Sequence, residues 1–427
     1  MQSRVVPQSA DSVEASSNPP SHSAPPQDAT GNSFAEVVSF VNRHSELLVL
    51  CDAGGQASIA VWPLMQGRVL TSTASGPEGL SFGWINRELI ASGKVQQHID
   101  AVGGEDRIWL GPEGGQFSIF FAPGVPFDLD HWYTPAPLDT DPFEIVSLSR
   151  HSVTFRKDFH LTNFSATEFH VEIEREVRLL SAVQIWSDLG IASVGGIKTV
   201  AYESVNKLTN LDASRWSEKT GLLSLWVLGQ FQANPRATII LPIKPGSQDE
   251  LGIPVTTDYF GVVPQERIAI TPGAVFFKAD ACYRGKLGLS LQRAKGILGS
   301  YDAQNSALTI VQHSLPSNPE KYVNSAWKIQ DEPYNGDVTN CYNDGQPSPG
   351  QTQLGHFYEL ESSSPARELN PHETVEHMHR TIHLVGAPLS SRKINRSRSI
   401  LPITSMDSSR RLRFCSVSRS LAWIDFF

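Results

Sequence analysis

The sequence predicts an all-β protein of stacked antiparallel sheets, and three observations predict it. From Arg107 to about Leu384, stretches of five to nine residues rich in β-formers follow one another, separated by turn clusters. Turn chemistry is abundant, with 32 Gly and 28 Pro among 427 residues. In "EFHVEIEREVRLL", Phe169, Val171, Ile173 and Arg175 share one face while Glu168, His170, Glu172 and Glu174 share the other, the period-two alternation of a half-buried strand. No long helical stretches intervene, so crossover-linked parallel strands are not expected and the strands stack as sheets.

Order is expected to begin near Phe34, where Phe34, Val37, Val38 and Val41 fall at helical spacing. "LLVLCDAGGQASIAVWPLMQGRVLTSTA" then reads as short strands broken by a Gly-Gly turn, and "GWINRELIASGK" as a second short helix. "DRIWLGPEGGQFSIFF", "HSVTFRKDFHLTNFS", "IKTVAYESVNKLTN", "GLLSLWVLGQF", "ATIILPI" and "AVFFKADACYRGKLGLSL" continue the strands. Residues 1–33, rich in Ser, Pro, Gln and Ala without the apolar core of a signal peptide, read as a disordered leader. Residues 34–386 form the β domain, and 387–427 a basic tail without sustained periodicity, read as a disordered appendage.

Composition narrows the function classes. Hydrophobic residues at 40% suffice for a sizeable core, while charged residues at 19% fall below the globular average of roughly 25%. Net charge is −9: from Ser391 onward eight Lys and Arg oppose two Asp, so the tail is +6 and the rest −15. A nucleic-acid partner is not expected without a phosphate-neutralising surplus. No run of eighteen apolar residues could span a membrane as a helix. Cys51, Cys282, Cys341 and Cys415 are scattered without a CxxC pair, which disfavours a zinc knuckle or a dense disulfide framework. Nucleophile-elbow, Walker A, Gly-x-Gly-x-x-Gly and HExxH motifs are absent.

Three clusters carry candidate chemistry. In "HFYELES", Phe357, Glu359 and Glu361 point one way, and same-face neighbours sit roughly 6.6 Å apart, so two carboxylates can address one small ligand. In "EHMHRTIHL", His377, His379 and His383 share a face with Thr381, while Met378, Ile382 and Leu384 take the other, expected to face the core. A carboxylate and an imidazole are a competent acid–base pair; the bland alternative is the wet side of a sheet. His-x-His beside a glutamate also suits zinc, but no local spacing supplies a third ligand, so no metal or cofactor is expected.

The second cluster, "GGEDRIWLGPEGGQFSIFF", places Arg107 and Trp109 on one face and mounts Glu113 and Gln116 around a tight turn. Arginine, carboxylate, amide and indole suit a polyhydroxylated ring; a surface hairpin pairing Arg107 with Glu113, worth about a kilocalorie or less, is the alternative. The third, residues 201–231, holds Asn206 and Asn210 around a turn, with Trp216 and Trp226 after it. A structural role is expected for Asn210 and a core position for Trp226, while Arg284 and Lys286 add positive charge beside a Gly.

On these residues, "EDRIWLGPEGGQFSIFF", "VNKLTN…W…GLLSLWVLGQF" and "LGHFYELESSSPARELNPHETVEHMHRTIHL" resemble an uncharacterised bacterial family of the galactose mutarotase-like, or aldose 1-epimerase-like, β-supersandwich group. The resemblance covers most of residues 36–385 and implies an antiparallel β-supersandwich with few short helices. It is remote to mutarotases themselves and strongest where Leu360-Glu361 precedes "SSSPARELNPHETVEH". Glu361 there matches the catalytic base, which takes the anomeric proton while a histidine protonates the ring oxygen. The Asn-His-Thr-Tyr-Phe motif that supplies that histidine is absent, "HLTNFS" and "KLTNLD" standing instead, so His377 or His379 is the expected acid. The resemblance thus implies a carbohydrate-binding protein whose ligand is a sugar or oligosaccharide. Glu361, His377 and His379 would be catalytic, and Arg107, Glu113, Gln116, Asn206, Lys286 and Glu359 would touch substrate. The alternative is a binding or structural domain without turnover.

Overall fold

The first helix, Phe34–Asn42, starts where Ser33 and Glu36 cap one another: each side chain accepts the other's backbone N–H. Its buried Phe34, Val37 and Val41 pack against Trp62 and Leu70 of a three-stranded meander, Leu48–Cys51, Ser58–Trp62 and Arg68–Thr73. The computed structural model describes residues 33–348 and 350–386. The basic tail and all but the last residue of the leader lie outside the described residues.

Two larger antiparallel sheets follow. The long sheet has ten strands in the order Ile268–Ile270, Ala274–Lys278, Ala237–Pro242, Ile297–Asp302, Ala307–His313, Thr374–Val385, Lys198–Asn210, Glu168–Leu179, Ser152–Thr162 and Glu144–Leu148. The small sheet has five: Gly285–Leu289, Thr339–Asn343, Phe357–Ser363, Ser224–Gln232 and Arg107–Gly111. The all-β antiparallel class read from the sequence is therefore the architecture found. One expected strand is not: 116–121 is loop, tied to its surroundings by side chains.

The inner face of the small sheet closes the core. Ile108, Leu110 and Val227 pack with Phe155, Val171 and Ile173 of the long sheet. Leu287, Cys341 and Leu360 pack with Ile239, Val275 and Val311. Each such side chain contributes about 1.5–3 kcal/mol relative to exposure, which sets the sandwich and leaves the small sheet's other face for different work.

The C-terminal half of the strand Thr374–Val385 is buried on both sides, and the histidine face is the inward one, which reverses the expected orientation. Ile382 and Leu384 pack with Ala201, Leu308 and Ile310 under the short helix Ala182–Asp188, through its Ile185. His377, His379, Thr381 and His383 face the space between the sheets, fully buried. Alternation correctly grouped the histidines; the covering helix decides that they point inward.

Candidate functional site

On the outer face of the small sheet, strand alternation brings one set of side chains together. Arg107 and Trp109, then Trp226, Leu228 and Gln230, then Phe357 and Glu359, together with Tyr342 and Lys286, floor a hollow of about 380 Å³. The register places Trp109 opposite Trp226, and Glu359 between Gln230 and Tyr342. Loops build the walls with Trp132, Trp327, Phe260 and Glu113.

The strand carrying Arg107 is clamped just before it enters the sheet. Glu105 accepts from the Ser72 amide at 2.6 Å and from the Tyr202 hydroxyl at 3.0 Å, with His383 Nε2 at 2.9 Å. Asp106 is paired with Arg175 at 2.7 Å and accepts from Ser204 at 2.8 Å, all fully buried. Two acids side by side thus tie the meander, the long sheet and the small sheet together behind the hollow.

Inside, four charges are partnered. Glu359 accepts from Gln230 Nε2 at 2.9 Å and lies 3.4 Å from Arg107 Nη2. Glu361, one step further along the same face, accepts from Trp226 Nε1 at 2.9 Å and Lys286 Nζ at 2.8 Å. The Arg107 guanidinium stacks on Trp109 at 4.0 Å, and Lys286 Nζ lies 4.6 Å from the Trp226 ring centre, both cation–π contacts. Burial, reinforced by the Glu361 charge and opposed by Arg107 and Lys286, pushes the Glu359 carboxyl up to about 7. Burial likewise raises Glu113. At Lys286 burial works against the charge, but Glu361 and Glu113 outweigh it and raise the ammonium.

Polar capacity is left over. Arg107 Nε and Nη1, Trp132 Nε1, Gln230 Oε1 and Glu361 Oε1 are buried without a hydrogen-bond partner among the described residues. Each such group costs about 1–3 kcal/mol when unsatisfied, and here the Arg107, Trp132 and Gln230 atoms gather around one space walled by indoles, with Glu361 behind its floor. That pattern suits a compact ligand with many hydroxyls and apolar C–H faces.

Four of the expected site residues, Arg107, Glu113, Lys286 and Glu359, line the hollow, and Glu361 stands directly behind its floor. Four others do not join them. His377 Nε2 and His379 Nδ1 both bond Ser362 Oγ at 2.8 Å, and Ser362 faces the opposite side of its strand from Glu361. The expected Glu361–imidazole pair is therefore split across the sheet, because successive side chains alternate. Asn206 is spent between the sheets on Arg175 Nη1 at 2.8 Å. Gln116 clasps the backbone of Gln330 in both directions, at 2.8 and 3.0 Å, and fastens a wall loop.

Asn210 has the expected structural role, donating to the Ser214 and Leu369 carbonyls. Trp226 belongs to the main core cluster, as expected, and its buried ring also lines the hollow. Gln230, a long polar side chain in the apolar run "GLLSLWVLGQF", carries a local signal, whereas Trp132 and Trp327 lie on loops where no periodicity could flag them. Among the described residues no three His, Cys, Asp or Glu side chains are arranged to hold a metal ion.

The chain resembles several solved structures. An aldose 1-epimerase candidate from Escherichia coli K12 is 12% identical with a TM-score of 0.47, covering 80% of this chain and 99% of its own. The Slr1438 protein of Synechocystis sp. PCC 6803 is 12% identical at 0.45, covering 80% and 96%. A galactose mutarotase-like protein from Lactobacillus casei ATCC 334 is 11% identical at 0.42, covering 79% and 100%. No curated protein matches the sequence. A family model matches residues 32–407, the whole β domain and part of the tail, and the chain belongs to that family, the family of unknown function DUF6786.

Proposed function

We propose that the hollow on the small sheet binds a carbohydrate. One observation carries the reading: unpartnered buried donors on Arg107 and Trp132 and an acceptor on Gln230 gather around a space of about 380 Å³ walled by four tryptophans. A pyranose offers the complement, hydroxyls for the polar atoms and C–H faces for the indoles. Buried polar groups discriminate strongly, since a ligand lacking the matching hydroxyl leaves them unpaired. Calorimetric titration with a panel of mono- and oligosaccharides tests this directly. At least one member is expected to give saturable heat, weakened tenfold or more by Arg107→Met; no heat across the panel rejects the proposal.

A second reading, proton transfer on the bound sugar, is favoured by Glu359. A carboxyl held at about 7 is poised to give and take protons near neutrality, and Glu361 beside it is held by two donors. Glu359→Gln is expected to slow anomer exchange, followed by NMR, by at least 10²-fold. An unchanged rate alongside intact binding leaves the hollow as a binding site without turnover.

A further inference from the structure

Between the sheets lies a second ionisable cluster that the hollow does not use. Ser362 is the inward-facing neighbour of Glu361, and its Oγ lies 2.8 Å from both His377 Nε2 and His379 Nδ1. Among the described residues the hydroxyl proton has no other acceptor, so one ring takes it while the other donates to the same oxygen. His313, opposite His379 in the neighbouring strand, completes the cluster. Its Nδ1 faces the Ser314 carbonyl, which only accepts, so Nδ1 carries the proton and Nε2 accepts from Thr339 Oγ1 at 2.9 Å. These bonds join two strands of the small sheet to the long sheet.

The surroundings offer nothing to balance an added proton. From the strand Glu168–Leu179 the charged group facing the cluster is Arg175, a cation whose carboxylate partner, Asp106, is already committed to it. The strand Lys198–Asn210 presents neutral Ser204 and Asn206, opposite His379 and His377. The small sheet presents Ser362 and Thr339, and His383 further along is satisfied by Glu105. The outer nitrogens, His377 Nδ1 and His379 Nε2, lack partners among the described residues. Burial first, then the neighbouring imidazoles and, for His379, Arg175, hold these rings well below their ordinary range.

We propose that Ser362, His377 and His379 form an acid-sensitive clasp. At neutral pH it holds the strand Phe357–Ser363, with Glu359 and Glu361 on its far side, against the long sheet. On acidification the rings take up protons, the shared hydroxyl loses its acceptor, and the strand carrying both glutamates lifts from its support, dismantling the hollow while the rest of the fold persists. The clasp bears on the sugar site only through those glutamates, and its test needs no sugar.

The test is hydrogen exchange of the full chain at about pH 7.5 and pH 5, corrected for intrinsic rates. Peptides spanning 357–363 and 374–385 are expected to lose at least tenfold in protection at the lower pH, with 48–73 unchanged. In H377Q/H379N, whose amides mimic the two bonding nitrogens without taking up protons, that loss should disappear. A uniform loss, no loss, or the same selective loss in the double variant overturns the proposal. Should the variant not fold, imidazole NMR of the native chain decides. Two rings that stay neutral until the 357–363 amides open support the clasp. Rings titrating near 6.5 beneath a protected strand overturn it.

Discussion

Replacing Lys286 with methionine isolates the ion pair at the back of the hollow. Lys286 Nζ and Glu361 Oε2 lie 2.8 Å apart, their side chains 8% and 0% exposed. At an effective dielectric of about 20, Coulomb's law gives an attraction of about 6 kcal/mol at that separation, much of which offsets desolvation of the two ions. The net worth of the pair is therefore small, while removing one partner is costly. Lys286→Met leaves Glu361 buried with only the Trp226 N–H for support, and a loss of about 3–5 kcal/mol is expected. Glu361→Gln strands the ammonium instead, near Glu113 and Glu359, and should cost less. The double variant should recover most of the loss, giving a coupling energy of at least about 2 kcal/mol. Urea unfolding with an unchanged denaturant slope reads these values. Strictly additive single effects, or a Lys286→Met cost below about 1 kcal/mol, would show a solvated pair and refute the described back wall.

Two further outcomes are expected. Burial holds His313 neutral, down from 6.5 to about 4, whereas the unfolded chain takes up that proton below about 6.5. Its stabilisation is thus complete above that value and lost as pH falls toward 4, about 3 kcal/mol across the window; His377 and His379 act in the same direction. Urea midpoints that stay flat between neutral pH and the low end would contradict this, and His313→Gln should shallow the slope. At Gly103, φ is +103° and an added Cβ would meet the Trp84 carbonyl oxygen at 2.0 Å, so Gly103→Ala should cost at least about 2 kcal/mol. A melting temperature within error of the parent would show that the loop entering the Glu105–Asp106 clamp relaxes freely.

What alternation could carry, it carried well. The pairs Arg107–Trp109 and Glu359–Glu361 each share a face, as period two requires, and they supply three residues of the hollow's floor and the carboxylate behind it. Alternation does not say which face is which when both are covered. In "EHMHRTIHL" the imidazoles and both Ile382 and Leu384 are buried, and the helix Ala182–Asp188, distant in sequence, covers the apolar pair. Trp226 is in the core as its apolar strand implies, and that it also walls the hollow could not be read locally, because an indole suits a hydrocarbon interior and a ligand wall equally. Gln116 and Asn206 have the right chemistry for a hydroxylated ligand, but their amides are consumed by Gln330 and Arg175, contacts separated by 214 and 31 positions. Long-range pairing of that kind leaves no local trace in a single sequence.

The most direct measurement is a crystal structure of the protein soaked in a mixture of pyranoses. The account predicts a ring lying against the indoles of the hollow, with hydroxyls reaching Arg107, Gln230 and Glu359. Sugar bound elsewhere with the hollow empty, or a hollow closed by its own side chains, would contradict it.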